Sequence, residues 1–479
     1  MTSSTAPLTP AAAGARQWAL LAVLAGNMLL DALEVSVLVV AAPVIGADLG
    51  LPPAGVQWTM SGFALGFAGL LLYGPQLAER RGRRRTYLVA LALFAAASLA
   101  GAVATDPVVL VATRFVKGCC AALTAPMGLA IITSAFAEGP VRRRAVSVYA
   151  LFGAAGFTVG LLLSGLLTEW DWRWTLAFPA PVVAVLFVVG ARVVPRDTPA
   201  PGAGAARPDA VGALLLTGAL TAVVGGFSLV PADGWTGPRG SGLLLLSMAL
   251  LVALGLRERA VSRPLVPASL LRAPGLARAA LGAACLNGAY LSTLLGATLH
   301  LQVRAGHSPW WTALAFLPAS APLACSALYS GRMVGRFGTR RLIAAGLSLA
   351  LAGFVLLWHR GLTAPYPTGL LPALLLVGAG FVLAFTALNT QATAGVPDGD
   401  KGRASAAYQT AVQAGAALVL ALTAALLPSA SEPATPARAP ALTAVAVVAA
   451  LGWLSALGGL RAGERGDASR STPVRRRTS

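Results

Sequence analysis

Runs of about twenty apolar residues return along almost the whole chain, and a helix of that length crosses the hydrocarbon core of a bilayer. "LLLLSMALLVALG", Leu243 to Gly255, lies in one such run, and "LLPALLLVGAGFVLAF", Leu370 to Phe385, lies in another. Charged residues make up only 11% of the chain, against about a quarter in soluble domains. The alternating pattern of a membrane β-barrel is absent. The chain therefore reads as an all-α polytopic membrane protein. Its first run, Trp18 to Ala42, is too long for a signal-peptide core, has no A-x-A-like site at its end, and is read as a retained span.

Apolar runs between polar breaks give fourteen spans, at about 17–42, 55–76, 86–105, 108–134, 146–167, 175–194, 210–230, 241–256, 277–299, 310–330, 342–358, 369–395, 403–427 and 440–460. Short loops make neighbouring spans antiparallel. The longest break, "RDTPAPGAGAARPD" from Arg196, is a Pro/Gly/Ala linker. Cys119, Cys120, Cys285 and Cys325 all fall inside spans, so they imply no disulfide framework and read as small apolar residues.

A formal charge of +19 raises the possibility of a nucleic-acid partner, and the placement of the cations removes it. With the N-terminus inside, 29 of the 36 Arg and Lys fall in inside segments, five fall outside, and two lie within a span. The positive-inside rule then puts both termini in the cytoplasm of a plasma-membrane protein. The basic tail "RRRTS" reads as a topogenic or lipid-headgroup contact. Arginine makes up 34 of the 36 cations, which with the Ala and Gly richness suggests a GC-rich bacterial genome.

Four charges fall deep in spans. Asp31 and Glu34 stand three apart in the first, and Arg114 and Lys117 three apart in the fourth, so each pair shares one helix face. A charge at mid-bilayer costs at least about 2.5–3.5 kcal/mol, so the four should face the bundle interior and one another. At 1.5 Å per residue, Glu34 lies about 13 Å and Asp31 about 18 Å below Pro43. Arg114 and Lys117 lie about 10 and 15 Å below Pro107. The levels overlap: Glu34 can reach Arg114, and Asp31 can reach Lys117. Two readings stand side by side, a static lock between two helices and a group that gains and loses a proton.

These residues sit in motifs that resemble the major facilitator superfamily, in its fourteen-span drug–proton antiporter branch. "LEVSVLVVAAP" is similar to that branch's L-D-x-T-I-V-N-V-A-L-P, with Glu34 at the motif acid and Asp31 an extra. "PQLAERRGRRR" resembles G-x-L-A-D-R-x-G-R-R: Glu79 stands for Asp, Gly82 and Arg83 are kept, and Pro75 replaces the first Gly. "GRMVGRFGTRR" repeats it with Gly331, Arg336 and Gly338, an internal repeat of the kind two related bundles carry. "RFVKG" is similar to R-x-x-Q-G, matching Arg114 and Gly118, with Lys117 in place of Gln. "GAAGFTVGLLLSG" has the spaced glycines Gly153, Gly156, Gly160 and Gly165 of the antiporter motif, but Leu161 stands where the motif has Pro.

The resemblance implies an N-terminal six-helix bundle at about 17–195, a linker and inserted hairpin at about 196–258, and a second six-helix bundle at about 276–460. A cytoplasmic N-tail (1–16) and a basic cytoplasmic tail (461–479) flank them. It implies proton coupling through Glu34, Asp31, Arg114 and Lys117, with Glu34 the first candidate carrier. The conformational loop motif would be Glu79, Gly82, Arg83, Gly331, Arg336 and Gly338. A central cavity would take Asn287, Tyr290, Phe381, Phe385 and Asn389, each set spaced to share a helix face, although helix packing accounts for the two phenylalanines equally well.

No metalloprotease, hydrolase, nucleotide or dinucleotide fingerprint is present, so the chain reads as no enzyme, with no cofactor and an ion gradient as its drive. Its expected partners are protons, membrane lipids and a small amphipathic organic molecule exported by alternating access, and the chain is expected to act as a monomer. Proton-coupled uptake and a non-transporting scaffold or sensor are the alternatives.

Overall fold

The computed structural model describes residues 14–196, 208–271, 273–326, 329–427 and 439–470. Most of the expected N-tail, the linker after Arg196 and the end of the basic tail lie outside them. Helices follow one another as α1 (Ala15–Asp48), α2 (Pro53–Leu71), α3 (Gly74–Arg81), α4 (Arg83–Ala102), α5 (Pro107–Ala135), α6 (Pro140–Thr168), α7 (Arg173–Ala177) and α8 (Pro179–Val193). Then come α9 (Ala210–Asp233), α10 (Pro238–Ala260), α11 (Ala268–Leu271), α12 (Pro274–Leu299), α13 (Pro309–Ala315) and α14 (Leu317–Ser326). The series closes with α15 (Ser330–Phe337), α16 (Thr339–Arg360), α17 (Leu370–Thr393), α18 (Lys401–Ala425) and α19 (Pro440–Arg470).

Proline opens many of these helices, where its missing N–H breaks no bond and its fixed φ suits the first turn. Before α5 the Asp106 carboxylate also accepts the Val108 N–H at 2.7 Å. Among the described residues eleven helices are long and apolar enough to cross a bilayer, and twelve if α2 and α3, bent by 57°, form one span. Three expected spans are not one continuous helix: the second bends between α2 and α3, the sixth is interrupted at Phe178 between α7 and α8, and the tenth divides, while the first is continuous but longer than expected. The tenth breaks at Phe316 into α13 and α14, in a stretch carrying Pro318 and Pro322. The first runs past its expected end at Ala42 to Asp48, because Pro43 lies near the end of α1 and removes only one ladder bond.

In lipid, helices gain little by burying apolar faces against one another, so close contact needs small residues. The span-five glycines supply it: a Cβ on Gly156 would sit 2.6 Å from the Leu29 carbonyl oxygen of α1. A Cβ on Gly288 of α12 would sit 2.6 Å from the Gly415 carbonyl of α18. Helix α1 thus lies on α6 as α12 lies on α18. The turn glycines repeat as well: Gly82, between α3 and α4, has φ 89° and ψ 140°, and Gly338, between α15 and α16, has φ 75° and ψ 153°. Both lie where a side chain is strained, which is why each motif keeps glycine there.

The two halves meet through α2 against α18 and through α6 against α13 and α14. At the face away from the arginine-rich turns, Gln302 donates to the Val40 carbonyl at 2.9 Å and the Trp310 N–H donates to Glu169 at 2.9 Å. Gln302 stands in a π turn, His300–Arg304, that extends α12. Toward the basic face Phe67, Leu71, Leu72, Leu265 and Ala406 belong to one apolar cluster.

Candidate functional site

Glu34 is fully buried, and Arg114 and Lys117 are at most 1% exposed. Glu34 binds both cations. The Arg114 guanidinium donates to its carboxylate through Nη1 and to its backbone carbonyl at 2.7 Å through Nη2. Lys117 Nζ lies 2.5 Å from the other carboxylate oxygen. Arg114 also donates to the Thr59 carbonyl of α2 at 3.0 Å and sits over the Phe63 ring, and Lys117 sits 4.9 Å from the centre of the Phe94 ring of α4. The trio ties α1, α2, α4 and α5 into one unit. Three nitrogens of Arg114 each donate, as burial of an ion requires, while Lys117 is held by the ion pair and the ring with no hydrogen bond among the described residues.

Asp31, 4% exposed, does not meet Lys117 as its depth suggested. Its Oδ2 accepts from Asn27 and from Thr124, both at 2.9 Å, and its Oδ1 has no hydrogen-bond partner among the described residues. Helical side chains lean toward their own N-terminus. On α1 that lean carries Asp31 toward the basic face, and on antiparallel α5 it carries Lys117 the opposite way, to Glu34. Glu34 lies between the depths of the two cations and receives both.

The loop-motif residues fall in three settings. Glu79 is exposed and pairs with Arg263, beyond α10, at 3.6 Å. Arg83 opens α4 behind Gly82, and its neighbour Arg84 donates to the Ala191 carbonyl of α8. Gly331 lies in α15 with open space around it, and Arg336 sits over the adjacent Phe337 ring. The Gln76 side chain accepts the Asp209 N–H at 2.9 Å, and Arg257 donates to the Asp209 carboxylate at 2.8 Å, so the ends of α9 and α10 dock on α3.

Three of the five expected cavity residues, Tyr290, Phe381 and Phe385, come together. The Tyr290 ring lies 4.9 Å from that of Phe381, tilted by 40°, and Phe381 stacks 4.9 Å from Phe385. Phe157 of α6, 5.6 Å from Tyr290, and Tyr408 of α18, 6.2 Å from Phe385, extend the row from one half to the other. Asn287 is buried, and its amide donates to the Val412 carbonyl at 3.3 Å. The Tyr290 hydroxyl is buried with no hydrogen-bond partner among the described residues. Asn389, near the end of α17, is exposed and stands apart from the ring row.

A profile of the Major Facilitator Superfamily matches residues 24–420. The chain belongs to the major facilitator superfamily. It is 38% identical over 418 residues to the puromycin resistance protein pur8 of Streptomyces alboniger, covering 85% of this chain and 81% of that protein. It is 35% identical over 401 residues to the cephamycin export protein CmcT of Amycolatopsis lactamdurans, covering 81% of this chain and 80% of that one. A solved peptide transporter has a TM-score of 0.64 at 16% identity, covering 94% of each chain, which is a likeness of fold. This facilitator is thus a membrane transporter rather than an enzyme, and it is helical throughout its described spans.

Asn27 and Thr124 touch Asp31, and Phe157 and Tyr408 touch the ring row, four contacts that sequence reasoning passed over. Asn27 stands four residues before Asp31 on the same helix face, a readable signal for a carboxylate's neighbour. Thr124, Phe157 and Tyr408 reach the site by tertiary packing, and no local pattern marks them.

Proposed function

We propose that this chain is a proton-driven exporter of amphipathic organic molecules, an antibiotic or a metabolite of its own cell, working by alternating access between two bundles. The observation that supports it best is the buried set of Asp31, Glu34, Arg114 and Lys117, which holds both acids out of water on one helix. The relatives named for puromycin resistance and cephamycin export support the direction and the substrate class. The fourteen-span plan takes α1 to α8 as one bundle, α9 and α10 as an inserted hairpin and α12 to α19 as the other. The arginine-rich turns support a cytoplasmic basic face, with both termini on that side.

Within the set the two acids divide the work. Protonating Glu34 would leave two buried cations without their anion, a state that costs several kcal/mol. Protonating Asp31 leaves no cation unpaired, because its partners are the neutral amide of Asn27 and the hydroxyl of Thr124. Asp31 is therefore the carboxylate that loads and releases the proton, and Glu34 is the anion that holds Arg114 and Lys117 in place. This reverses the assignment drawn from the motif alone. A proton on Asp31 changes the net charge of the buried set by one and biases the balance between inward and outward states.

Substrate binds along the rings of Tyr290, Phe381 and Phe385, with the Tyr290 hydroxyl as a polar handle. No second protein is invoked, and the chain acts as a monomer with lipid around it. Leu161 in place of the motif's proline favours a second reading, proton-coupled uptake. Flux of a fluorescent drug into proteoliposomes under an imposed pH gradient separates the readings. Export coupling predicts that substrate moves against the proton flow, and uptake predicts that it moves with it. Gradient-independent flux would remove proton coupling altogether.

A further inference from the structure

On the basic face, between the α3–α4 turn and the end of α8, lies a groove of about 610 Å³ lined by Arg81, Arg84, Arg85 and Arg196 together with Leu88, Val89, Ala92 and Phe187. We propose that it binds an anionic phospholipid of the leaflet at that face, headgroup among the arginines and acyl chain along the apolar wall.

The lining is divided by depth. Arg81 closes α3, Arg84 and Arg85 lie in the first turn of α4, and Arg196 follows the end of α8, so all four guanidinium groups lie at helix ends. Leu88, Val89 and Ala92 lie one to two turns further along α4, about 5–10 Å deeper into the bilayer. Val89 is 51% exposed, an apolar side chain open to the place where a lipid tail would run. Among the described residues no carboxylate lines the groove. A zwitterionic lipid would leave the charge of Arg81, Arg85 and Arg196 uncompensated, and a free phosphate would leave the apolar wall uncovered. A lipid with a phosphate and no headgroup cation answers both halves, and guanidinium groups match phosphate oxygens in geometry. The walls are fixed, because Arg84 donates to the Ala191 carbonyl and joins α4 to α8.

The test is native mass spectrometry of the full chain released from nanodiscs of equal phosphatidylglycerol and phosphatidylcholine. The parent should retain phosphatidylglycerol in preference. Arg85→Gln and Arg196→Gln should each lower that preference by about fivefold, the value of one cation near an anionic surface. Val89→Glu, which places an anion in the groove and leaves the arginines, should lower it too. Arg360→Gln, on the other face, should leave it unchanged, and 10 mM inorganic phosphate, roughly a saturating concentration for a simple anion site, should not displace the lipid. Equal retention of the two lipids by the parent would overturn the proposal. So would an unchanged preference in both arginine variants at an unaltered elution volume, or displacement by phosphate.

Discussion

Replacing Glu34 by Gln removes the only anion from between two buried cations and leaves the shape of the side chain. Arg114 keeps two of its three acceptors, the Thr59 carbonyl at 3.0 Å and the residue-34 carbonyl at 2.7 Å. Lys117 is left with the Phe94 ring, 4.9 Å from its nitrogen. Breaking a buried ion pair from one side costs about 3–5 kcal/mol. The glutamine oxygen still accepts one bond, so the expected loss is about 3 kcal/mol, near the low end of that range. Asp31→Asn is a different perturbation: its remaining oxygen still accepts from Asn27 and Thr124, and the expected loss is about 1 kcal/mol or less. Reversible unfolding in bicelles, followed by tryptophan fluorescence, measures both. Adding Lys117→Met to Glu34→Gln should recover part of the loss, with a coupling of about 1–3 kcal/mol. Equal destabilisation by Asp31→Asn and Glu34→Gln, or no coupling between Glu34 and Lys117, would refute the division of roles.

Other outcomes follow from the packing. Gly288→Ala should destabilise by about 1–3 kcal/mol, since its methyl would press on the Gly415 carbonyl. Gly242→Ala, with open space around it inside α10, should be neutral or stabilising in the same unfolding measurement. Gly338→Ala meets no neighbour within 4 Å, so any loss, about 1–3 kcal/mol, is backbone strain at φ 75°. Glu79→Gln breaks only an exposed pair with Arg263 and should shift stability by about 0–1 kcal/mol, less at high salt. Tyr290→Phe removes a hydroxyl that has no partner among the described residues. Stability should hold while the KM for a hydrogen-bonding substrate rises, read from transport kinetics.

Much of the scaffold was legible in the sequence because bilayer thickness converts directly into run length. The four intramembrane charges stood out for the same reason, since such residues are costly in lipid and few in this chain. The paired turn glycines were readable as a repeated motif, and their matching backbone angles give the physical cause. Pairing within the charge set was not legible. Depth along two helices puts Asp31 and Lys117 at neighbouring levels, but antiparallel helices tilt their side chains in opposite directions, and a few ångströms decide the partner. The ring row was legible on α12 and α17, where spacing within a helix reveals a face. Its ends, Phe157 and Tyr408, come from α6 and α18 and belong to tertiary packing. The break at Phe316 shows the same limit: two prolines near one span mark a weak point, and the neighbours decide whether the helix divides there.

We propose above that Asp31 carries the proton that drives transport. Proteoliposomes holding the parent or Asp31→Asn, loaded with a pH-sensitive dye, measure proton movement when substrate is added under no initial gradient. The parent should move protons against the substrate, and Asp31→Asn should still exchange substrate downhill while moving none. Substrate-driven proton movement of parental size in Asp31→Asn would take the proton off Asp31.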